Sequence, residues 1–282
     1  MDPVITRHLA WLALRGLAPS HIYTRKRHLI RLAAALPVPL LKATPAMLLD
    51  WRAAMTMTPA AVCGHVSHAR CFYEWAVKEH LITENPATEL PVPRLPRRLP
   101  RPMLDADLFD AVGHAPARIR LWLVLTAWTG LRVCEIAWLR AENIRLRDAV
   151  PHILVAYDAT KGGREHAVPL CPFAVSELAA ARLPVTGWAF PRADGKSGPN
   201  APHRVSKLIN DYLHGLGLSA TAHMGRHRYA TELLPWTNLR VVQETLGHAS
   251  PATTALYTLV RPADGAPAVA HLPVPARFRP AA

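Results

Sequence analysis

Cysteine is scarce in this chain and carries no pattern. Four residues, Cys63, Cys71, Cys134 and Cys171, occur among 282, and no two of them form a C-x-x-C pair. Neither a disulfide framework nor a cysteine-based zinc site is therefore predicted, and reduced thiols suit a cytoplasmic protein. Long apolar runs are missing as well. The longest, L-W-L-V-L-T-A-W-T-G at 121–130, falls far short of the ~20 residues that a bilayer-spanning helix needs. The opening M-D-P-V-I-T-R-H-L-A lacks the basic-then-apolar layout of a secretory signal. Acidic residues are also in short supply. Asp plus Glu number 20 against 33 Lys plus Arg, a formal net charge of +13. An excess of that size points to a polyanionic partner, either nucleic acid or an anionic membrane surface. With no membrane signal, nucleic acid is the partner the composition favours.

What is present is hydrophobic enough to fold. Half the residues are apolar, and the length suits two domains better than one. Residues 1–84 read as a helical module. Ser20 is a plausible cap for a helix through Leu36, with Ile22, Leu29, Ile30 and Ala33 as its apolar stripe. Thr44-Pro45 and Thr58-Pro59 each set a capping residue before a proline at the first helical position. The second opens a long helix whose inner face carries Val62, Val66, Ala69, Phe72, Tyr73 and Ala76. Basic residues stud this module, among them Arg25, Lys26, Arg27, His28, Arg31, His65, His68 and Arg70.

Residues 85–102, N-P-A-T-E-L-P-V-P-R-L-P-R-R-L-P-R-P, change character. Repeated prolines exclude a helix and favour an extended connector. Arg94, Arg97, Arg98 and Arg101 suit a connector that tracks a phosphate backbone. From 103 to 260 the pattern is a mostly helical domain. Asp105 reads as a cap for a helix through Val112, and an apolar helix over 117–129 ends at Gly130. A further helix starts near Arg132. H-I-L-V-A-Y-D at 152–158 and E-H-A-V-P-L at 165–170, joined by A-T-K-G-G-R, predict a β-hairpin with Lys161 in its turn. A proline-broken tail occupies 261–282.

The stretch A-H-M-G-R-H-R-Y-A-T at 222–231 places two histidines and two arginines in the first turns of one helix. His223 and His227 have the spacing of a zinc helix, but Met224 stands where H-E-x-x-H requires glutamate, and Arg226 repels a cation. No metal is predicted. A solvated basic face and a phosphate-handling surface both remain, the second favoured by the free N–H groups and dipole of a helix start.

Two other stretches bear on that choice. T-G-L-R-V-C-E-I-A-W-L-R at 129–140 sets Arg132 after a glycine and Glu135 one turn on. L-G-H-A-S-P-A-T-T-A-L-Y-T at 246–258 sets His248 after another glycine and Tyr257 nine residues later. Together with the Lys161 turn, these stretches closely resemble the tyrosine recombinase (phage integrase) family. The resemblance is close over 103–260 and looser over the helical module, which is similar to that family's core-type DNA-binding domain. Any one motif is weak; in this order, across the 125 residues from Arg132 to Tyr257, they are specific.

The resemblance implies a mainly α fold with a small antiparallel sheet, a helical DNA-binding domain and a catalytic domain. It implies that Arg132 and Arg226 clamp the scissile phosphate, and that Tyr257 attacks phosphorus to give a 3′-phosphotyrosyl link and a free 5′-hydroxyl. His223 would be the base or proton relay, Lys161 the proton donor to the leaving 5′-oxygen, and His248 a hydrogen-bond donor to the phosphate. Glu135 would orient a catalytic neighbour, and His227 would support the site. Plainer readings stand beside these: Lys161 as a solvated turn lysine with Arg164 on the phosphate, His248 as a helix cap, Tyr257 as core packing. Three departures from the family pattern concern geometry. Gly225 replaces a leucine and is expected to loosen its helix turn; Arg228 replaces Thr or Ser; and Asn238 stands in for a missing turn glycine.

The implied function is site-specific recombination of double-stranded DNA, without cofactor or metal. It would run as a homotetramer on DNA, built from protomers that are monomeric in solution, in a bacterial cytoplasm and on the nucleoid when bound. A DNA-bending accessory protein is a possible partner. The chain starts almost at the helical module, which leaves no room for an arm-binding domain. The expectation is an enzyme that integrates or excises a phage or mobile element; a Xer-type resolution recombinase is the alternative. A type IB-like topoisomerase and a non-catalytic DNA-binding regulator are the other classes.

Overall fold

The computed structural model describes residues 2–95, 101–159 and 165–247. Lys161, His248, Tyr257, Arg97 and Arg98 lie outside the described residues, as does the 261–282 tail. The chain divides into two compact units, Met1–Arg97 and Arg98–Ala282.

The first unit is four helices: α1 (Pro3–Leu14), α2 (Pro19–Ala35), α3 (Pro45–Ala53) and α4 (Pro59–Lys78), with a 3₁₀ turn at Leu40–Lys42. Each α-helix begins at a proline, whose fixed φ suits the first helical turn and whose missing N–H costs no bond there. Asp2, Thr44 and Thr58 cap α1, α3 and α4, accepting from the amides of Val4, Met47 and Ala61. Ser20 does not cap α2. Pro19 already opens that helix, so Ser20 falls inside it, and no side chain caps the start. The apolar stripe of α2 is also rotated from expectation: Leu29 and Leu32 are buried, whereas Ile30 is exposed. The inner face of α4 is the expected one, with Val62, Val66, Ala69, Phe72, Tyr73 and Ala76 all buried.

The connector expected from residue 85 onward begins later. Ala87 and Leu90 are buried in the core of the first unit. Arg70 donates from Nε to the Ala87 carbonyl (3.1 Å) and from an Nη to the Leu90 carbonyl (2.6 Å). Arg52 likewise donates to Pro91 O at 3.0 Å. The segment turns at 86–89 rather than forming a strand, and arginine side chains supply donors to its carbonyls. Arg94 and Arg101 are exposed.

In the second unit the elements run α5 (Asp105–His114), α6 (Ala117–Trp128), α7 (Val133–Ala137), β1 (Ile144–Arg145), β2 (His152–Val155), β3 (His166–Pro169), α8 (Pro172–Ala180), α9 (Pro202–Gly215), α10 (Ala222–Leu233) and α11 (Leu239–Thr245). The strands form an antiparallel sheet in the order β1-β2-β3, with Ile153 opposite both Ile144 and Val168. The hairpin strands are shorter than 152–158 and 165–170 suggest, because a 3₁₀ turn at Tyr157–Ala159 ends the first. Asp105 begins α5 without capping it. Its carboxylate meets Arg228 instead, 2.6 Å from Nε.

Helix α6 is the axis of this unit. Every residue from Leu121 to Ala127 is buried, as expected of a helix apolar on all sides. Helix α10 lies against it. A Cβ on Gly225 would stand 2.9 Å from Thr126 Oγ1, so Gly225 permits close helix contact. That corrects the expectation that this glycine loosens its turn: here it tightens a packing contact. The departure at Arg228 is explained as well, since its guanidinium lies over the Trp128 ring, 5.1 Å from the centroid, besides meeting Asp105.

Candidate active site

The site forms where the α6–α7 turn, the start of α10 and the end of α11 converge. Gly130 follows the last turn of α6 with φ +67°, a conformation glycine adopts without steric cost. Space demands glycine there too, since a Cβ would stand 2.5 Å from Tyr229 Cδ1. The reversal at Gly130 delivers Arg132 to the N-cap position of α7.

Glu135, one turn into α7, is 1% exposed. Its carboxylate accepts from the Arg132 backbone amide and from Arg132 Nη1, both at 2.7 Å. The first bond caps α7; the second fixes the guanidinium. The same carboxylate lies 3.8 Å from Arg226 Nη1. One buried anion thus stands between two arginines, and its attraction is strengthened by exclusion of water.

Arg226 is 2% exposed. It donates to the carbonyl of Gly130 and, at 2.7 Å, to that of Leu246. Arg132 also reaches Leu246 O (3.2 Å) and Gly247 O (3.4 Å). The turn after α11 therefore receives donors from both guanidinia. Of the five N–H donors on Arg132, three go to Glu135, Leu246 and Gly247. The remaining two can grip an oxyanion.

His223 occupies the second residue of α10, whose first amide is capped by Asn210 Oδ1 at 2.9 Å. Crowding by the surrounding protein, then the guanidinia of Arg226 and Arg132, holds the His223 pKa below its usual value. A neutral imidazole able to accept a proton is the consequence at neutral pH. His227 packs edge-on against His223 with ring centroids 4.3 Å apart. Burial, His223 and Arg226 bring the His227 pKa down to about 4. The guanidinia of Arg226 and Arg132 beside these imidazoles repel a cation, and among the described residues no group of three His, Cys, Asp or Glu side chains is placed to hold a metal.

The structure thus brings together Arg132, Glu135, His223, Arg226 and His227. The chain leaves Gly247 (φ +59°) directly into His248. Four contributors escaped the sequence reading. The Leu246 and Gly247 carbonyls are backbone acceptors, invisible to residue type. Asn210 lies on another helix, twelve residues before the amide that it caps. His166 packs on Gly247, where a Cβ would come within 2.6 Å of its ring.

On the first unit, Arg25, Lys26 and Arg27 lie on α2. Arg25 donates to His68 O at 3.4 Å. Arg70 is a different case: two of its donors hold the 87–90 segment.

Comparison with known proteins adds three findings. Residues 106–263 match the phage integrase family. Tyrosine recombinase XerC of Xanthomonas campestris pv. campestris (strain B100) is 34% identical over 215 residues, which cover 72% of this chain and 64% of that protein. Tyrosine recombinase XerD of Pseudomonas aeruginosa is 31% identical over 229 residues, 74% of each chain. The chain therefore spans a little under two thirds of the XerC relative. Two solved structures share the fold. A lambda integrase(75-356) dimer bound to a COC′ core site superposes with a TM-score of 0.71 at 20% identity, covering 91% of this chain and 94% of that one. The Tn1549 transposon integrase in complex with circular intermediate DNA gives 0.68 at 15% identity, covering 95% and 99%.

Proposed function

We propose, for a chain that belongs to the phage integrase family of tyrosine recombinases, that it cuts and rejoins double-stranded DNA at specific sites through a 3′-phosphotyrosyl intermediate. The observation that carries this reading is the rigid pairing of Arg132 and Arg226 around Glu135 and the Leu246 carbonyl. Two guanidinia fixed in this way stabilise the extra charge of a pentacoordinate phosphate without reorganising.

In the reaction proposed, Tyr257 Oη forms a bond to phosphorus as the bond from phosphorus to the 5′-oxygen breaks. A phenol near pKa 10 must give up its proton, and His223, held neutral, is the acceptor or relay. Lys161 protonates the leaving 5′-oxygen, and His248 donates to a phosphate oxygen. The phosphotyrosyl link conserves the energy of the broken phosphodiester, so rejoining reverses the same steps with a new 5′-hydroxyl. Four protomers on two duplexes, in the cytoplasm, would exchange strands in two rounds. The helical unit and the arginines of the connector would supply phosphate contacts, and hence salt-dependent affinity.

Excision or integration of a mobile element is the role proposed. The resemblance to XerC and XerD favours a second reading, resolution of chromosome or plasmid multimers. One experiment tests the chemistry common to both. The protein is incubated in EDTA with DNA flanking its gene, then quenched with SDS. An adduct that resists EDTA and disappears in Tyr257→Phe is expected. Tight binding to several candidate sites without any adduct would overturn the recombinase assignment.

A further inference from the structure

Strand β3 buries His166 and Val168 and exposes Ala167 and Pro169. Val168 is an ordinary choice: it is fully buried and stands opposite Ile153 of β2. His166 is not. It is 9% exposed and stands opposite the buried Val155. A polar ring thus occupies an inward position where the alternation of a half-buried strand calls for an aliphatic side chain. A buried polar side chain is the informative kind of exception.

What the ring touches supplies a reason. Helix α11 packs against β3. The helix closes at Gly247, which has φ +59° and whose amide donates to the Glu244 carbonyl at 2.9 Å. Glycine suits that closing position because it is left-handed. Here the space of a Cβ is also taken: Cε1, Nδ1 and Nε2 of His166 would lie 2.6, 2.8 and 2.9 Å from it. The imidazole therefore abuts Gly247 at its Cα. At the carbonyls of the same turn, Arg132 donates to Leu246 and Gly247, and Arg226 to Leu246. One turn is gripped by two guanidinia and by a ring from the sheet.

The ring also joins two stretches of the candidate site. Lys161 precedes it by five residues on the hairpin, and His248 follows Gly247 directly. We propose that His166 is a positioning residue for DNA cleavage: its ring, lodged against Gly247, fixes the 246–247 turn and so places His248 relative to the arginine clamp. This role rests on the recombinase reading above. Preorganised donors stabilise a transition state only while they hold still, and a misplacement of about 1 Å can cost a hundredfold in rate. An emptied space beside Gly247 would let the turn shift without removing any group that touches the phosphate.

The adduct assay above, run at saturating DNA beside measurements of DNA affinity and urea midpoint, tests this. His166→Ala should slow adduct formation by about 10- to 100-fold. DNA affinity should stay within about twofold of the parent, because the loss falls on the chemical step. His166→Phe keeps a ring against the turn; it should recover most of the rate and leave the shape of the pH–rate profile unchanged. His166→Asn, a smaller truncation, should fall between the two, and it carries the test if His166→Ala does not fold. In Gly247→Ala the new methyl meets the ring, so adding His166→Ala should raise the rate above that of Gly247→Ala alone. Adduct formed by His166→Ala at the parent rate would overturn the proposal, as would a loss confined to stability or DNA affinity. So would a His166→Phe variant as slow as His166→Ala, or one that lacks a limb of the pH profile, since the nitrogens would then carry the role. A parent protein that forms no adduct would overturn the recombinase reading itself, and the positioning role with it.

Discussion

Arg132 and Arg226 donate to the same oxygen, the carbonyl of Leu246, at 3.2 and 2.7 Å. Two like charges share an acceptor because the Glu135 carboxylate lies beside both, 2.7 Å from Arg132 and 3.8 Å from Arg226. The pair is therefore a single electrostatic unit, and its parts should fail together.

Glu135→Gln retains the shape and removes the charge. It removes the buried negative charge that lies beside Arg226, 2% exposed, and Arg132. Breaking a buried pair from one side costs about 3–5 kcal/mol, and the retained bond to the Arg132 amide places this variant at the lower end. Urea unfolding should read that loss. Adduct formation should fall more steeply than DNA binding, because the fault lies in the clamp.

Gly130→Ala meets three obstacles at once: φ +67°, the Tyr229 ring 2.5 Å from the new Cβ and Leu246 Cδ2 2.8 Å from it. A loss of at least about 2 kcal/mol follows. In a double-mutant cycle with Tyr229→Ala only the Tyr229 clash should couple, so the double variant recovers part of the loss. Full recovery would show that the backbone there is unstrained.

Gly225→Ala tests the helix contact. The new methyl meets Thr126 Oγ1 at 2.9 Å, and overpacking of this kind costs roughly 1–3 kcal/mol. Thr126→Ala in the same chain should relieve most of it. If Gly225→Ala were neutral alone, α10 would not be pressed onto α6.

Acid should destabilise the helical unit through its histidines. Burial first, then charged neighbours, lowers His8, His28 and His68 to about 4. The unfolded chain binds more protons than the folded one between pH 6.5 and about 4, so stability is intact above that window and falls as pH drops through it. For His8, at 1% exposure, the linkage is worth about 3 kcal/mol. Urea midpoints at pH 7 and at pH 4.5 should differ less in His8→Phe than in the parent protein.

Arg70 and Arg27 should separate structure from binding. Arg70→Ala unties the Ala87 and Leu90 carbonyls and should cost about 1–3 kcal/mol. Arg27→Ala should leave stability unchanged and lower the salt slope of DNA binding by about one. Reversed outcomes would exchange the two assignments.

Much of this was legible in the sequence for identifiable reasons. The threonine-proline pairs mark helix starts because side-chain oxygen and fixed φ act locally. Gly130 announces the turn before Arg132 for the same reason. What stayed hidden depends on partners far along the chain. Ser20 resembles a cap until Pro19 is seen to have begun the helix. Ala87 and Leu90 read as linker because nothing near them in sequence shows that Arg70 ties them down. Gly225 reads as a weak point until Thr126 is found against it. The candidate site divides in the same way. Arg132, Glu135, His223 and Arg226 were visible as residue types, whereas the carbonyls that hold the arginines carry no side-chain signature.

The shared Leu246 carbonyl also limits how this domain can be recombined with its relatives. The segment that bears the first arginine and the segment that ends at residue 247 are cut to fit each other through main-chain atoms and through the buried Leu246 side chain. Replacing either segment alone by one whose backbone runs differently would misplace the clamp. The two segments form one inheritance unit, although more than a hundred residues separate them.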